Sequence, residues 1–336
     1  MRMVRLALLG DADEHIWDNL VASFETGTIF HTLAWMRVVE KLHRAEMMPF
    51  GIFDGSDLVG VFPLFRARRG PLTVLASPLG GVGYGGPLVD RSYYGAVIDQ
   101  LDGLLTRYSA DYIEFRSLDS LTSLANAGYT VREFHTIVVS LEQTLEQLWA
   151  NAKGGCRTAV RRAKKNHVEI VEAQDKSFVH VYYDMAVDTY AKSNRPPPHS
   201  REDYGAVWDI LRPYGRLKVL LAQHEGRVIA GAIFLHFRDK VYFWDGAAYR
   251  AYYRLSPNNL LHWTLIEWGA SNGLREYDML GANIPSIARF KQSFGGDLRA
   301  YTYAYKDATV WAHVGRRLYL RLVPQIRRVQ HKVWPA

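Results

Sequence analysis

Hydrophobic runs along this chain come in short pairs separated by tight polar turns. Residues 50–65 read FGIFDGSDLVGVFPLF, and residues 219–235 read VLLAQHEGRVIAGAIFL. Each is a pair of strand-forming runs around a turn holding a glycine, Gly55 or Gly226, where a positive φ carries no Cβ penalty. The pattern predicts a hairpin in both places. A third strand follows each time, at 72–75 and at 241–244. A helical period then covers 94–108 and 259–271, with Gly273 marking the end of the second, and another strand follows at 112–115 and 277–280. Equivalent points lie 171 residues apart (Gly55 to Gly226) and 165 apart (Tyr112 to Tyr277). A repeat this long is a duplicated domain rather than a solenoid.

Three strands, a helix and a further strand in each half predict an α/β chain with α+β mixed sheets and helices on both faces. That layout is similar to the acetyltransferase (GNAT) fold, so the expectation is two tandem GNAT-like domains with a cleft between them. Residues 1–139 form the first, on the acceptor side, with 306–336 packing back on it. Residues 140–305 form the second, on the acyl-donor and catalytic side. The boundary is placed where Ser140-Leu141-Glu142-Gln143 reads as a helix start. The apolar run after Met1 is too short for a signal peptide and reads as a first strand. No stretch approaches the roughly 20 apolar residues a membrane helix requires, so a soluble, cytoplasmic monomer is expected.

Charge changes this picture because it is clustered. The chain carries 41 basic and 34 acidic residues, a net +7. Lys153, Arg157, Arg161, Arg162, Lys164 and Lys165 lie within thirteen residues that hold no acid. Arg316, Arg317, Arg321, Arg327, Arg328 and Lys332 sit in a tail with no acid after Asp307. Without these twelve the balance is 29 basic to 34 acidic, so two patches make an otherwise acidic protein basic. Such clusters suit a polyanion, whether a phosphate-bearing substrate, RNA or an anionic membrane; solvated helix faces are the plainer alternative. The single cysteine, Cys156, excludes an intramolecular disulfide and a cysteine metal cluster, and the twelve histidines show no metal-binding spacing.

Four stretches of the second half carry candidate chemistry. Arg157, Arg161, Lys164 and Lys165 fall on one broad helical face able to neutralise several phosphates. The segment 189–201 contains Pro196-Pro197-Pro198 and so reads as a loop, presenting Arg195, His199 and Arg201 to substrate or to solvent. Residues 245–259, DGAAYRAYYRLSPNN, join a strand to a helix. In a GNAT-like layout that junction holds the donor's phosphates at the helix N-terminus. Arginines and tyrosines replace the usual glycine-rich loop, which argues against a conventional acetyl-CoA pyrophosphate site. The fourth stretch, 287–296, reads IARFKQSFGG. Lys291 between two phenylalanines is a candidate desolvated cation for an oxyanion, or else a snorkelling surface lysine. In the first half, Gly80–Pro87 lacks the Lys-Ser/Thr of a nucleotide loop and reads as an irregular strand able to line an acceptor cleft.

These elements occur in a recognisable order: Arg-x-x-x-Arg-Arg-Ala-Lys at 157–164, Pro257-Asn258-x-Leu260-Leu261-x-Trp263, Tyr277-Asp278, and Phe290-Lys291-Gln292-Ser293-Phe294-Gly295-Gly296. With Tyr84-Gly85-Gly86-Pro87 they resemble the Fem family of aminoacyl-tRNA-dependent transferases, over most of the chain. The resemblance implies two GNAT-like domains, no cofactor or metal, and aminoacyl-tRNA as co-substrate. It implies that Lys291 steadies the transition state without a classical enzyme base. It places the donor on Arg250, Arg254, Asn258, Phe290, Tyr303, Arg157, Arg161 and Lys164. The acceptor, an amine-bearing small molecule or cell-wall precursor, falls to Trp35, Tyr84, Arg195, His199, Arg201 and Asp245. Positions 38–39 are Val-Val where the family's phosphate-binding lysine is sought, and Lys41 is only nearby, so the acceptor's identity stays open. Two other functions fit the same residues: an acyl-CoA-dependent GNAT N-acyltransferase, and a non-catalytic RNA- or membrane-surface module contacting its partner through the basic C-terminal tail.

Overall fold

Both anticipated hairpins form. The computed structural model describes residues 4–10, 13–80, 83–119, 122–191 and 195–319. In the first half the elements are β1 (Val4–Leu8), α1 (Glu14–Ser23), α2 (Leu33–His43), β2 (Glu46–Asp54), β3 (Asp57–Arg69), β4 (Leu72–Ser77), β5 (Leu88–Val89), α3 (Tyr94–Arg107) and β6 (Tyr112–Ser117). Strands β2 and β3 close at Asp54↔Asp57, with Gly55 at φ +61°. The second half contains β7 (Thr130–Ser140), α4 (Leu145–Asn151), α5 (Gly154–Lys165), β8 (Glu169–Glu172), α6 (Phe178–Ala191), α7 (Arg201–Leu211), β9 (Leu217–His224), β10 (Arg227–Phe237), β11 (Lys240–Ala248), α8 (Pro257–Ser271), β12 (Glu276–Asp278), α9 (Pro285–Gln292) and β13 (Asp297–Asp307). Its hairpin closes at His224↔Arg227, with Glu225 and Gly226 both at positive φ, the conformation a two-residue primed turn requires.

Over the described residues the chain divides into two units, 4–134 with 300–319 and 135–299, so the division falls inside β7 rather than at the helix signal near 140. Within the first unit β1, β2, β3 and β4 are antiparallel neighbours, β4 runs parallel to β6, and β6 is antiparallel to β13. Within the second, β8, β9, β10 and β11 are antiparallel, β11 runs parallel to β12, and β12 is antiparallel to β7. The duplication read in the sequence is thus a duplicated mixed sheet. Its last strand is exchanged in order: β13, which follows the second half, completes the first unit. The stretch 308–319 belongs to that unit as well, while 320–336 lie outside the described residues.

Each unit has its own core. In the first, α3 lays Val97, Leu101, Leu104 and Leu105 on Phe50, Ile52, Phe62, Leu75 and Ile113. In the second, Val160 and Ala163 of α5 and Leu260, Leu261 and Leu265 of α8 pack on Ile137, Val139, Phe234, Val241 and Tyr277. The α5 helix is amphipathic in the expected sense, with Arg161, Arg162, Lys164 and Lys165 exposed, whereas α8 is apolar on most of its circumference and largely buried.

Candidate functional site

The second unit's sheet opens where β11 and β12 part. These parallel strands pair at only three positions, Lys240↔Glu276, Val241↔Tyr277 and Tyr242↔Asp278. β11 continues to Ala248, while the chain after Asp278 bonds instead to β7, Met279 N donating to Ile137 O and Ala282 N to His135 O, each at 2.8 Å. The departure needs an unusual turn, with Leu280 at φ +53°. The carbonyls of 279–281 therefore lose the ladder partners that β11 would have supplied.

Lys291 of α9 supplies them. Its Nζ donates to Met279 O (2.6 Å), Leu280 O (2.6 Å) and Gly281 O (2.9 Å). An ammonium has three donors, and all three are used. The side chain is 7% exposed, and burial pulls its pKa from 10.5 to about 8, with Asp278 opposing. Phe243 lies 5.7 Å from the ammonium, and His262 packs against Phe243, Phe290 and Phe294. His262 shares a 2.6 Å hydrogen bond with Tyr277 Oη; burial chiefly, then the Lys291 charge, push its pKa down to about 3. The Phe-Lys-x-x-Phe sequence walls a cation that ties a strand end. As placed, all three N–H groups of Lys291 are taken by these carbonyls.

An acidic and aromatic cluster lies on the other face of β11. The β10–β11 register runs Ile233↔Asp245 and then Phe234↔Phe243, so Trp244 is an extra, bulged residue. A bulge breaks the alternation of side chains and re-aims one of them. Here it sends Trp244 and Asp245 together toward α6 and α7. Asp245 Oδ2 accepts from Tyr182 Oη (3.0 Å) and Tyr204 Oη (2.8 Å). His199 stacks on Trp244, centroids 4.8 Å apart, and meets the Tyr204 ring at 5.7 Å. Burial lowers the His199 pKa, against Asp245 and Asp203, so this imidazole is neutral. Burial first, then the Asp245 charge, lift the Tyr190 phenol to about 12. Among the described residues no lysine or arginine forms an ion pair with this half-buried carboxylate. A braced anion walled by rings is complementary to an ammonium. Asp245 and His199 were legible as candidates; Tyr182, Tyr190, Tyr204 and Trp244 were not, because two helices and a bulge bring them together.

The donor candidates separate into engaged and exposed groups. Arg157 Nη1 donates to Trp149 O (3.3 Å), Ala150 O (2.8 Å) and Ala152 O (2.6 Å), capping the end of α4. Arg161 lies over Trp149 at 5.4 Å and stays exposed with Lys153, Arg162 and Lys165, while Lys164 approaches Glu267 at 3.7 Å. Arg250 is latched to Asp188 of α6 by Nε (3.2 Å), Nη2 (3.1 Å) and its backbone N (2.7 Å). Arg254 is exposed and Asn258 half-buried at the start of α8, which has Pro257 in its first turn. A recess of about 540 Å³ beside the latch is lined by Val181, Asp188, Val228, Tyr249 and Tyr252, among others. Of the acceptor candidates in 195–201, Arg195 is exposed, and Arg201 pairs with Asp184 at 2.8 Å while covering the Tyr183 ring.

Three candidates fall in the first unit. Trp35 and Tyr84 share a partner, both standing edge-on to Phe30 at 5.3 and 5.8 Å, but they are 4% and 1% exposed and form core. The close approach offered by the glycines near Tyr84 is filled from within, since a Cβ on Gly83 would lie 2.6 Å from the Phe30 ring. Tyr303, expected at the donor, instead sits on β13 beside β6. Its hydroxyl donates to Glu114 at 2.8 Å, and Glu114 also pairs with Arg69.

Comparison with known proteins agrees with this architecture. Residues 150–292 match the family described as an acetyltransferase (GNAT) domain. The structure called FemX superposes with a TM-score of 0.72 at 13% identity, covering 89% of this chain and 96% of that one. The fold is Fem-like. A Fem-like layout is shared with the C-terminal domain of a putative lysylphosphatidylglycerol synthetase from Agrobacterium fabrum (TM-score 0.59, 12% identity, 92% and 98% covered). It is shared too with a tandem GNAT protein from the clavulanic acid biosynthesis pathway (0.59, 12%, 91% and 99%). No curated protein sequence gives a significant match. The second unit of this Fem-like chain is an acyltransferase domain. Among its described residues no group of three histidine, cysteine, aspartate or glutamate side chains is placed to hold a metal, and no helix is long and apolar enough to cross a membrane.

Proposed function

We propose that this chain forms an amide bond by moving an aminoacyl group from aminoacyl-tRNA to an amine. The observation that carries the reading is the cluster around Asp245. A carboxylate held by two phenols and walled by Trp244 and His199 seats an ammonium, which is the form in which an amine acceptor arrives. The ammonium releases a proton to solvent, and its nitrogen then attacks the ester carbonyl. The C–N bond forms, the ester C–O bond breaks, and the amine's second proton ends on the leaving ribose oxygen. The exposed cations of α5, packed beside α8, support a donor with many phosphates over one with a single pyrophosphate. Arg254 and Asn258, at the start of α8, flank the place where the donor's end would enter.

The test is transfer of label from tRNA charged with radiolabelled amino acids to a panel of small amines and cell-wall precursors, with acyl-CoA as the parallel donor. The expected result is RNase-sensitive transfer from tRNA. Asp245→Asn should raise KM for the amine by about tenfold to a hundredfold, the loss of one charge-assisted contact, with a smaller change in kcat. Transfer from acyl-CoA alone would reassign the donor, and an unchanged KM in Asp245→Asn would remove the Asp245 cluster from acceptor binding.

A further inference from the structure

The helix at 310–319 is turned inside out. Its polar side faces the protein: Arg316, 5% exposed, donates to Asp307 through Nε (2.6 Å) and Nη2 (2.9 Å) and lies 3.7 Å over the Tyr305 ring. His313 bonds the same aspartate at 2.9 Å. Ala312 is buried, and Gly315 lies against Leu72, where a Cβ would stand 3.2 Å from a methyl. The outward side is apolar. Val310 is 79% exposed, Trp311 83%, Val314 43% and Leu318 51%. Positions 311, 314 and 318 form one stripe, with 310 beside 314. A tryptophan left so open beside three aliphatic residues needs a partner.

We propose that this stripe docks on an anionic lipid surface. Charge selects the occupant. Arg317 is exposed within the stripe, no acid follows Asp307, and the sequence continues through Arg321, Arg327, Arg328 and Lys332. Tryptophan and aliphatic residues entering the headgroup region beside arginines is the composition of an interfacial helix, and each cation adds attraction to acidic lipid. Nucleic acid offers nothing for the aliphatic side chains to bury against. A second copy would bring one cationic tail against another. Docking here is independent of which donor or acceptor the second unit uses.

The test is flotation of the full chain with phosphatidylcholine vesicles and with vesicles that also contain phosphatidylglycerol. Binding is expected to the acidic vesicles and to weaken as salt rises. Trp311→Gln with Val314→Gln should reduce that binding at least about tenfold. Their side chains face outward, so the thermal transition should be unchanged. Arg317→Glu should weaken binding chiefly at low salt. No flotation with acidic vesicles, flotation unaffected by the double substitution, or self-association of the wild type that the double substitution abolishes would each overturn the proposal.

Discussion

Replacing Lys291 by methionine separates two roles that its sequence context leaves open. Methionine keeps the length and fills the space among Phe243, Phe290 and Phe294, but it offers no donor to the carbonyls of 279–281. Each hydrogen bond from a charged group contributes about 1.5–3 kcal/mol, so three contribute roughly 5–9 kcal/mol. Against this stands the desolvation of the ammonium. A pKa lowered from 10.5 to about 8 corresponds to about 3 kcal/mol. The net loss is then about 2–6 kcal/mol, with three buried acceptors left without their donor. For a unit of this size each kcal/mol moves the transition by about 2–4 °C, so Tm should fall by roughly 5–20 °C. Calorimetry of both proteins, run beside the transfer assay, reads the two effects together. If Lys291→Met unfolds within a degree of the wild type and yet loses transfer, the ammonium is free to serve the substrate. The account of Lys291 as the tie of the β12 turn would then be wrong.

Other expectations follow from the same geometry. His262 stays neutral in the fold, with a pKa near 3 against an ordinary 6.5. Below pH 6.5 the unfolded chain therefore takes up a proton that the folded one refuses. Stability should fall from pH 6.5 toward pH 3, by about 2 kcal/mol at pH 5; His262→Gln should flatten that part of a Tm-against-pH curve. A Cβ on Gly85 would lie 2.5 Å from Ser77 Oγ and 2.6 Å from Ser77 C, a clash with backbone. Gly85→Ala should destabilise the first unit by about 1–3 kcal/mol, measured by denaturant unfolding. Arg157→Ala removes the cap of α4 and should lower stability by about 1–2 kcal/mol while leaving the salt dependence of the proposed tRNA binding as it was. Arg162→Glu should do the reverse, making the slope of log K against log salt shallower with Tm preserved.

Much of the fold was legible because it rests on local periodicity. Glycines at the two hairpin turns, apolar runs of strand length and a 3.6-residue period in the helices all specify elements within a few residues of each other. Repeating that order about 170 residues later specified a duplicated domain. The same local signals could not say that β13 completes the first unit's sheet, since nothing near residues 297–307 names β6 as a neighbour. Tyr303 was assigned to the donor side for that reason, and it proved to serve Glu114 in the first unit.

The candidate site divides along the same line. By itself the sequence determined that cations cluster on one helix, that Lys291 stands between rings, that Asp245 lies at a strand-to-helix junction and that His199 lies in a proline-containing loop. Tertiary structure alone decided what each of them does. Arg157 is spent on α4's carbonyls, Arg250 on Asp188 and Lys291 on a strand end, because buried backbone acceptors and charges take whichever partner packing brings within reach. Asp245 became a site through one bulged residue, Trp244, and through tyrosines from α6 and α7 that lie 41 and more residues away in the chain. Periodicity reports which face of an element is buried; it carries no record of what the opposite face will meet.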